Sequence, residues 1–204
     1  MINYAYAETL FHFLYGDFNG YEISTKARAT DNATNLELLY GELPLITCKE
    51  ILERCDPKKD GIFFDLGSGT GRVAMAMHLL ADFQKSIGVE LLTGLHDKAC
   101  EIKKKFEKTV KPQIEDHVAG RELLFTKGNI LETDLSSADF VFLNHPFKKA
   151  ADFLLLEEKF LKELKPKSKI VTIIRRLQNS AFKDLGSQKY KFSWGDSTAY
   201  FFEV

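Results

Sequence analysis

The segment Asp65-Leu66-Gly67-Ser68-Gly69-Thr70-Gly71-Arg72 brings a carboxylate, three alternating glycines and a guanidinium together within eight positions. Glycines spaced in this way let a backbone turn sharply and come close to a ligand, because no Cβ intervenes. A helix that starts just after them offers unpaired N–H groups and the positive end of its dipole. Such a loop suits either a nicotinamide dinucleotide or S-adenosyl-L-methionine. The glycine spacing is G-x-G-x-G rather than the dinucleotide G-x-G-x-x-G. Asp65 also fits a cationic amino-acid group better than a pyrophosphate. Both points favour S-adenosyl-L-methionine over the dinucleotide; the plainer alternative is a strand–turn–helix loop with no ligand.

Three further strand ends carry polar groups. Glu90, closing Gly88-Val89-Glu90, can accept the two hydroxyls of a ribose; alone it would read as a surface carboxylate. Asn129, followed by Ile130, can accept from or donate to an adenine edge while the isoleucine covers the ring, or it is simply a turn residue. Asn144-His145-Pro146-Phe147 stands where a transferred group would lie. There the Asn144 carbonyl can accept from an amine, and Phe147 can border a channel. A proline-containing turn is the plainer reading. His145 could act as a base, although a single loop histidine is more often solvated.

The elements that must hold these residues follow from hydrophobic pattern. Residues 2–15 read as an aromatic helix broken at Gly16 to Gly20. Asp31 or Asn32 is expected to cap a short helix, and Pro44 to open another that ends near Cys55. GIFFDLG, KSIGVELL, ELLFTKGNI, ADFVFLN and SKIVTIIRRL read as strands. They alternate with helices over GRVAMAMHLLADF, residues 94–109 and residues 149–164. In the last of these, Leu154, Leu155, Leu161 and Leu164 are expected on the apolar side. The tail reads as a hairpin turning at Gly195-Asp196-Ser197. The expected fold is therefore α/β: a Rossmann-like, mostly parallel sheet with helices on both faces and a C-terminal antiparallel hairpin. Its ligand site lies beyond the carboxyl ends of the strands.

Composition bounds the partners. The chain has 204 residues, a formal net charge of −1 and 45% hydrophobic residues. That length suits one domain with a short appendage, here residues 1–35 as a short helical segment and 36–204 as the catalytic domain. The charge balance and a pI near 6.5 argue against stable nucleic-acid binding. The lysine runs at Lys103–Lys105 and Lys165–Lys169 read as solvated surface. Cys48, Cys55 and Cys100 are odd in number and form no CxxC pair. They read as small buried apolar residues in a reducing compartment, with no disulfide framework and no metal site. No apolar run reaches membrane-spanning length and no signal peptide is evident, so a cytoplasmic location is expected.

Taken in order, these segments resemble the DOT1-like histone lysine methyltransferases, a class I S-adenosylmethionine-dependent family. Asp65 to Gly71 is similar to the family's first motif. Tyr40-Gly41-Glu42 resembles its Tyr-Gly-Glu segment, and Gly88-Val89-Glu90 its ribose-binding strand end. Leu143-Asn144-His145-Pro146-Phe147 is similar to its loop after the fourth strand. Phe192-Ser193-Trp194-Gly195 with Thr198-Ala199-Tyr200-Phe201 resembles its closing hairpin. The resemblance, running from about residue 36 to the C-terminus, implies that Tyr40 and Glu42 close over the methionine part of the cofactor. It also implies that Asp65, Gly67 and Arg72 surround the amino-acid group, on the loop that Gly69 and Gly71 shape. Glu90 would hold the ribose, while Asn129 and Ile130 stand where the family has an Asp-Phe pair at adenine. Asn144, Phe147 and Tyr200 would line a lysine channel. With no basic extension to grip nucleosomal DNA, the implied acceptor is a lysine of another protein. Alternatives are a methyltransferase for a nucleic-acid base amine or a small molecule, a nicotinamide-dependent oxidoreductase, and a non-catalytic cofactor-binding or interaction protein.

Overall fold

The structure is a computed structural model, which describes residues 2–31, 40–144, 147 and 149–204. Two helices open it, α1 (Tyr4–Tyr15) and α2 (Gly20–Thr30). Asparagine caps both: Asn3 accepts from the Tyr6 N–H, and Asn19 from those of Tyr21 and Glu22. Pro44 precedes α3 (Leu45–Cys55). Asp31 ends α2, and its Oδ2 accepts from Thr93 N at 2.7 Å. It thereby caps the first turn of α5 (Thr93–Lys105), which has no side-chain cap of its own. The helix expected after Asn32 lies outside the described residues, as do His145 and Pro146.

Seven strands form one sheet. They are β1 (Ile62–Leu66), β2 (Lys85–Glu90), β3 (Glu122–Lys127), β4 (Phe140–Leu143), β5 (Lys169–Ile173), β6 (Lys183–Phe192) and β7 (Gly195–Glu203). Their order is β3-β2-β1-β4-β5-β7-β6, with the first five parallel and β7 antiparallel to both neighbours. The Rossmann-like α/β expectation is borne out. The chain leaves β1 toward β2 and β3, then returns to β4 on β1's other side. Beyond β1 and β4 this opens the crevice where such sheets bind ligands.

Alternation along β1 sends Phe63 to one face and Phe64 to the other. On the first face, Phe63, Phe140, Phe142 and Val171 pack against α1, α3 and α4 (Arg72–Leu80). On the second, Phe64, Val141, Leu143 and Ile170 pack against α7 (Ala150–Glu163). A four-residue α6 (Glu115–Val118) precedes β3. The inward stripe of α7 is Phe153, Leu156, Glu157 and Phe160, with Leu164 buried just past the helix end. Leu154 and Leu155 are 49% and 53% exposed, contrary to expectation, because each lies about 100° per residue off that stripe. The helix expected over 94–109 changes character at its end: after Lys105 it widens into a π-turn, Phe106–Val110. The hairpin turns on Ser193 and Trp194, with Phe192 opposite Gly195, rather than on 195–197. Gly195, the first residue after this two-residue connection, has a positive φ (117°) that favours glycine. Cys48 and Cys55 are buried free thiols that burial pushes up to about 12. Cys100 is only partly buried. Among the described residues no helix is long and apolar enough to cross a membrane.

Candidate active site

The crevice is a cleft whose empty space, counting its solvent-open mouth, is about 860 Å³. Its floor is the glycine loop. Gly67 N and Ser68 N both donate to Val89 O at 2.9 Å, so the loop folds back on the end of β2. Gly67, Gly69 and Gly71 all have positive φ, at 82°, 55° and 81°, where an L side chain would be strained. A Cβ on Gly69 would lie 2.7 Å from the Tyr40 ring. Gly71 does not line the cleft. It caps α4, and a Cβ there would strike the Phe125 ring.

Asp65 is 2% exposed and lines the cleft. Its Oδ2 accepts from Ala74 N at 3.2 Å. Burial, with the Glu90 charge adding to it, pushes its carboxyl up to about 8. Among the described residues no lysine or arginine forms an ion pair with it. Glu90 is 7% exposed; its Oε2 accepts from Gly69 N and its Oε1 from Leu92 N, each at 2.8 Å. Its carboxyl too is raised, chiefly by burial. Two of about four acceptor positions on that carboxylate are thus used, which leaves room for ribose hydroxyls.

Arg72 faces Glu42 at 3.6 Å and lies over the rings of Phe11 and Tyr15, 5.1 and 4.8 Å from their centroids. The Tyr40 hydroxyl donates to Glu42 Oε1 at 2.9 Å and lies 3.1 Å from Thr70 Oγ1. Burial and the neighbouring Glu42 raise its phenol well above the usual range. Ser68 Oγ and Arg72 Nε are buried without a hydrogen-bond partner in the protein. Two orphaned donors and an unpaired carboxylate around one cleft match a zwitterionic amino acid attached to a nucleoside, so the residues present fit S-adenosyl-L-methionine.

At the cleft mouth Asn144 Nδ2 donates to Gly41 O at 3.2 Å, and Phe147 lines the wall. Gly41 is itself pinned, since a Cβ on it would overlap Trp194. Asn129 and Ile130 also line the cleft. The Asn129 side chain closes a local turn, accepting from Leu131 N at 3.0 Å and donating to Glu132. Tyr200 does not line the cleft. On β7 it pairs with Thr172 of β5, and its ring faces the Arg176 guanidinium at 5.9 Å.

Several lining residues escaped sequence reasoning. Leu91, Leu92 and Leu95 follow Glu90 directly, so the start of the next helix carried a readable signal. Ser24 of α2, which is buried and lines the cleft, carried none, because nothing local marks a serine forty residues before the loop. Gly88 lies level with Asp65 on β2, and a Cβ there would meet Phe125 at 2.7 Å and Ser68 at 2.8 Å. Gly88→Val is expected to cost about 1–3 kcal/mol by urea titration. An unchanged midpoint would show that the loop does not sit tightly on β2.

The family described as "Histone methylation protein DOT1" matches residues 23–193. A protein-lysine N-methyltransferase of Saccharolobus islandicus is 29% identical over 133 residues, covering 65% of this chain and 74% of that one. Among solved structures, an RNA methyltransferase from Salinibacter ruber in complex with S-adenosyl-L-homocysteine superposes with a TM-score of 0.57 at 23% identity, over 79% of this chain and 92% of its own. The rRNA methyltransferase aviRa from Streptomyces viridochromogenes gives 0.60 at 13% identity, over 80% and 86%. At these identities the structural matches speak to fold.

Proposed function

The chain belongs to the DOT1 histone methylation family, and from that premise we propose that this S-adenosylmethionine-dependent methyltransferase acts on the side-chain amine of a lysine in a protein. The observation that carries the reading is the orientation of Asn144. Gly41 C=O can only accept, so it fixes the amide nitrogen toward itself. That leaves the Asn144 oxygen free to accept, in a cleft that Phe147 also lines, an arrangement suited to an amine on an alkyl chain. The protein-lysine N-methyltransferase activity of the Saccharolobus relative and a net charge of −1 support the same acceptor class. The methyltransferase domain takes in residues 36–204, with α2 lending Ser24 to its wall.

When bound, the cofactor supplies an electrophilic methyl on a sulfonium. The protein's own part is to position and to exclude water. A lysine ammonium, with a pKa near 10.4, must first give its proton to solvent. The apolar wall at Phe147 disfavours the charged form and lowers that pKa. The Asn144 oxygen then holds a remaining N–H and directs the lone pair at the methyl. Asp65, Arg72 and the glycine loop hold the amino-acid part, and Glu90 the ribose.

Methyl-labelled cofactor incubated with the protein and a cell lysate is expected to label protein that survives nuclease. Asn144→Ala should lower that labelling about a hundredfold, the usual cost of a lost positioning contact. Label confined to nuclease-sensitive material would replace lysine with a base amine as the acceptor.

A further inference from the structure

We propose that the exposed surface at the carboxyl end of β5, around Ile174 and beside the unpaired edge of β7 at Asp196, seats an extended stretch of the acceptor polypeptide beside its target lysine. The proposal rests on the lysine reading above and names the residue that selects the flanking sequence.

Ile174 is the anomaly that points here. Its φ is +71°, and Arg175 N donates to Ile173 O at 2.9 Å, closing a three-residue turn around it. A positive central φ in such a turn is rare and strained, most of all for a β-branched residue. The side chain is 45% exposed, so burial returns little for that strain. Glycine or asparagine would serve the backbone better, which leaves a role at the surface for the isoleucine.

Its position gives that role. Leu143 pairs with Thr172 and Ile173 with Ala199. Asn144 is therefore level with Ile173, and Ile174 stands one strand over and one residue further out. β7 runs past this level toward the hairpin tip. Ile174 N donates to Thr198 O at 2.8 Å, the last ladder bond on that side. Lateral direction alternates along a strand, so the peptide N–H and C=O of Asp196 point to the same side as those of Thr198, beyond the end of β5. Among the described residues no backbone group pairs with them there. Trp194, stacked on Phe192 with centroids 4.7 Å apart, stands at the far end.

An open strand edge asks for a partner with peptide donors and acceptors at strand spacing. An extended polypeptide supplies that repeat and a sugar–phosphate chain does not. A chain laid along this edge passes Ile174 as its lysine reaches Asn144, so an apolar residue next to the lysine packs on the isoleucine.

The test uses the full chain, methyl-labelled S-adenosylmethionine and a synthetic library of seven-residue peptides with central lysine, whose flanks are apolar or polar. The wild type is expected to label apolar-flanked peptides about tenfold more efficiently than polar ones, the scale of one well-packed side chain. Ile174→Gly and Ile174→Asn should abolish that preference. Both ease the backbone, so the melting temperature should not fall, and calorimetric cofactor affinity should hold. A wild type without the preference, or variants that keep it, would overturn the proposal while leaving lysine as acceptor. Label in RNA with none in any lysine peptide would overturn both readings.

Discussion

Replacing Asp65 by asparagine is expected to weaken S-adenosylmethionine binding by roughly a hundredfold, the scale of one charge-assisted hydrogen bond, and to remove its pH dependence. The free carboxyl titrates at about 8 against an ordinary 3.8. An ammonium partner needs it ionised, so below pH 8 binding must first expel a proton. Wild-type affinity therefore climbs between pH 6 and 8, whereas asparagine has no proton to lose. Stability of the free protein runs the opposite way. Between about pH 4 and 8 the folded chain keeps a proton that the unfolded chain has released, so stability falls as pH rises through that window. The asparagine variant should escape this loss and be the more stable protein at pH 8. Calorimetric titration at pH 6, 7 and 8 with thermal melts at each pH checks both. A wild type whose affinity ignores pH would remove Asp65 from the ammonium site.

Phe140→Ala is expected to cost about 3–5 kcal/mol, a large share of the roughly 5–15 kcal/mol that holds a domain together. The ring is wholly buried at the start of β4. Its centroid lies 5.4 Å from that of Phe63, edge to face, and 6.0 Å from that of Phe83. Three rings from three segments meet there, and no neighbour can fill the space one of them leaves. The urea midpoint should drop with an unchanged slope, and the melting temperature should fall by about 10 °C. Cofactor affinity measured well below the melt should survive, because Phe140 sits at the opposite end of β4 from Asn144. A midpoint within error of wild type would mean that the three rings do not form a close-packed core.

The centre of the sheet was legible because β1, β4 and β5 are apolar on both faces, and a short apolar run ending at glycine or an acid is a local signal. Asp65, Glu90 and Asn144 were legible for the same reason, standing at strand ends where topology forces ligands to bind. What stayed hidden depends on distance. Asp31 has the composition of a cap for the residues that follow it, yet it caps a helix 62 positions away. Leu154 and Leu155 look like core until Phe153 and Phe160 fix the phase of α7. Asn129 lies in the cleft, but its amide is taken up by a turn, a competition that residue type alone cannot decide. Tyr200 falls on the right strand, but its ring is turned toward Arg176.

The roof of the cleft ties α2 and the segment at Glu42 to the β6–β7 hairpin. Ser193 Oγ accepts from Glu42 N at 3.1 Å and meets the Tyr21 hydroxyl at 2.5 Å, contacts that span 151 and 172 positions. A chain emerging from the ribosome can therefore build its floor, the glycine loop and β2, long before it can shut the lid, which waits for the final hairpin. A form lacking the β6–β7 hairpin loses the Ser193 contacts that hold this roof, so methylating competence is expected only once that hairpin has been made.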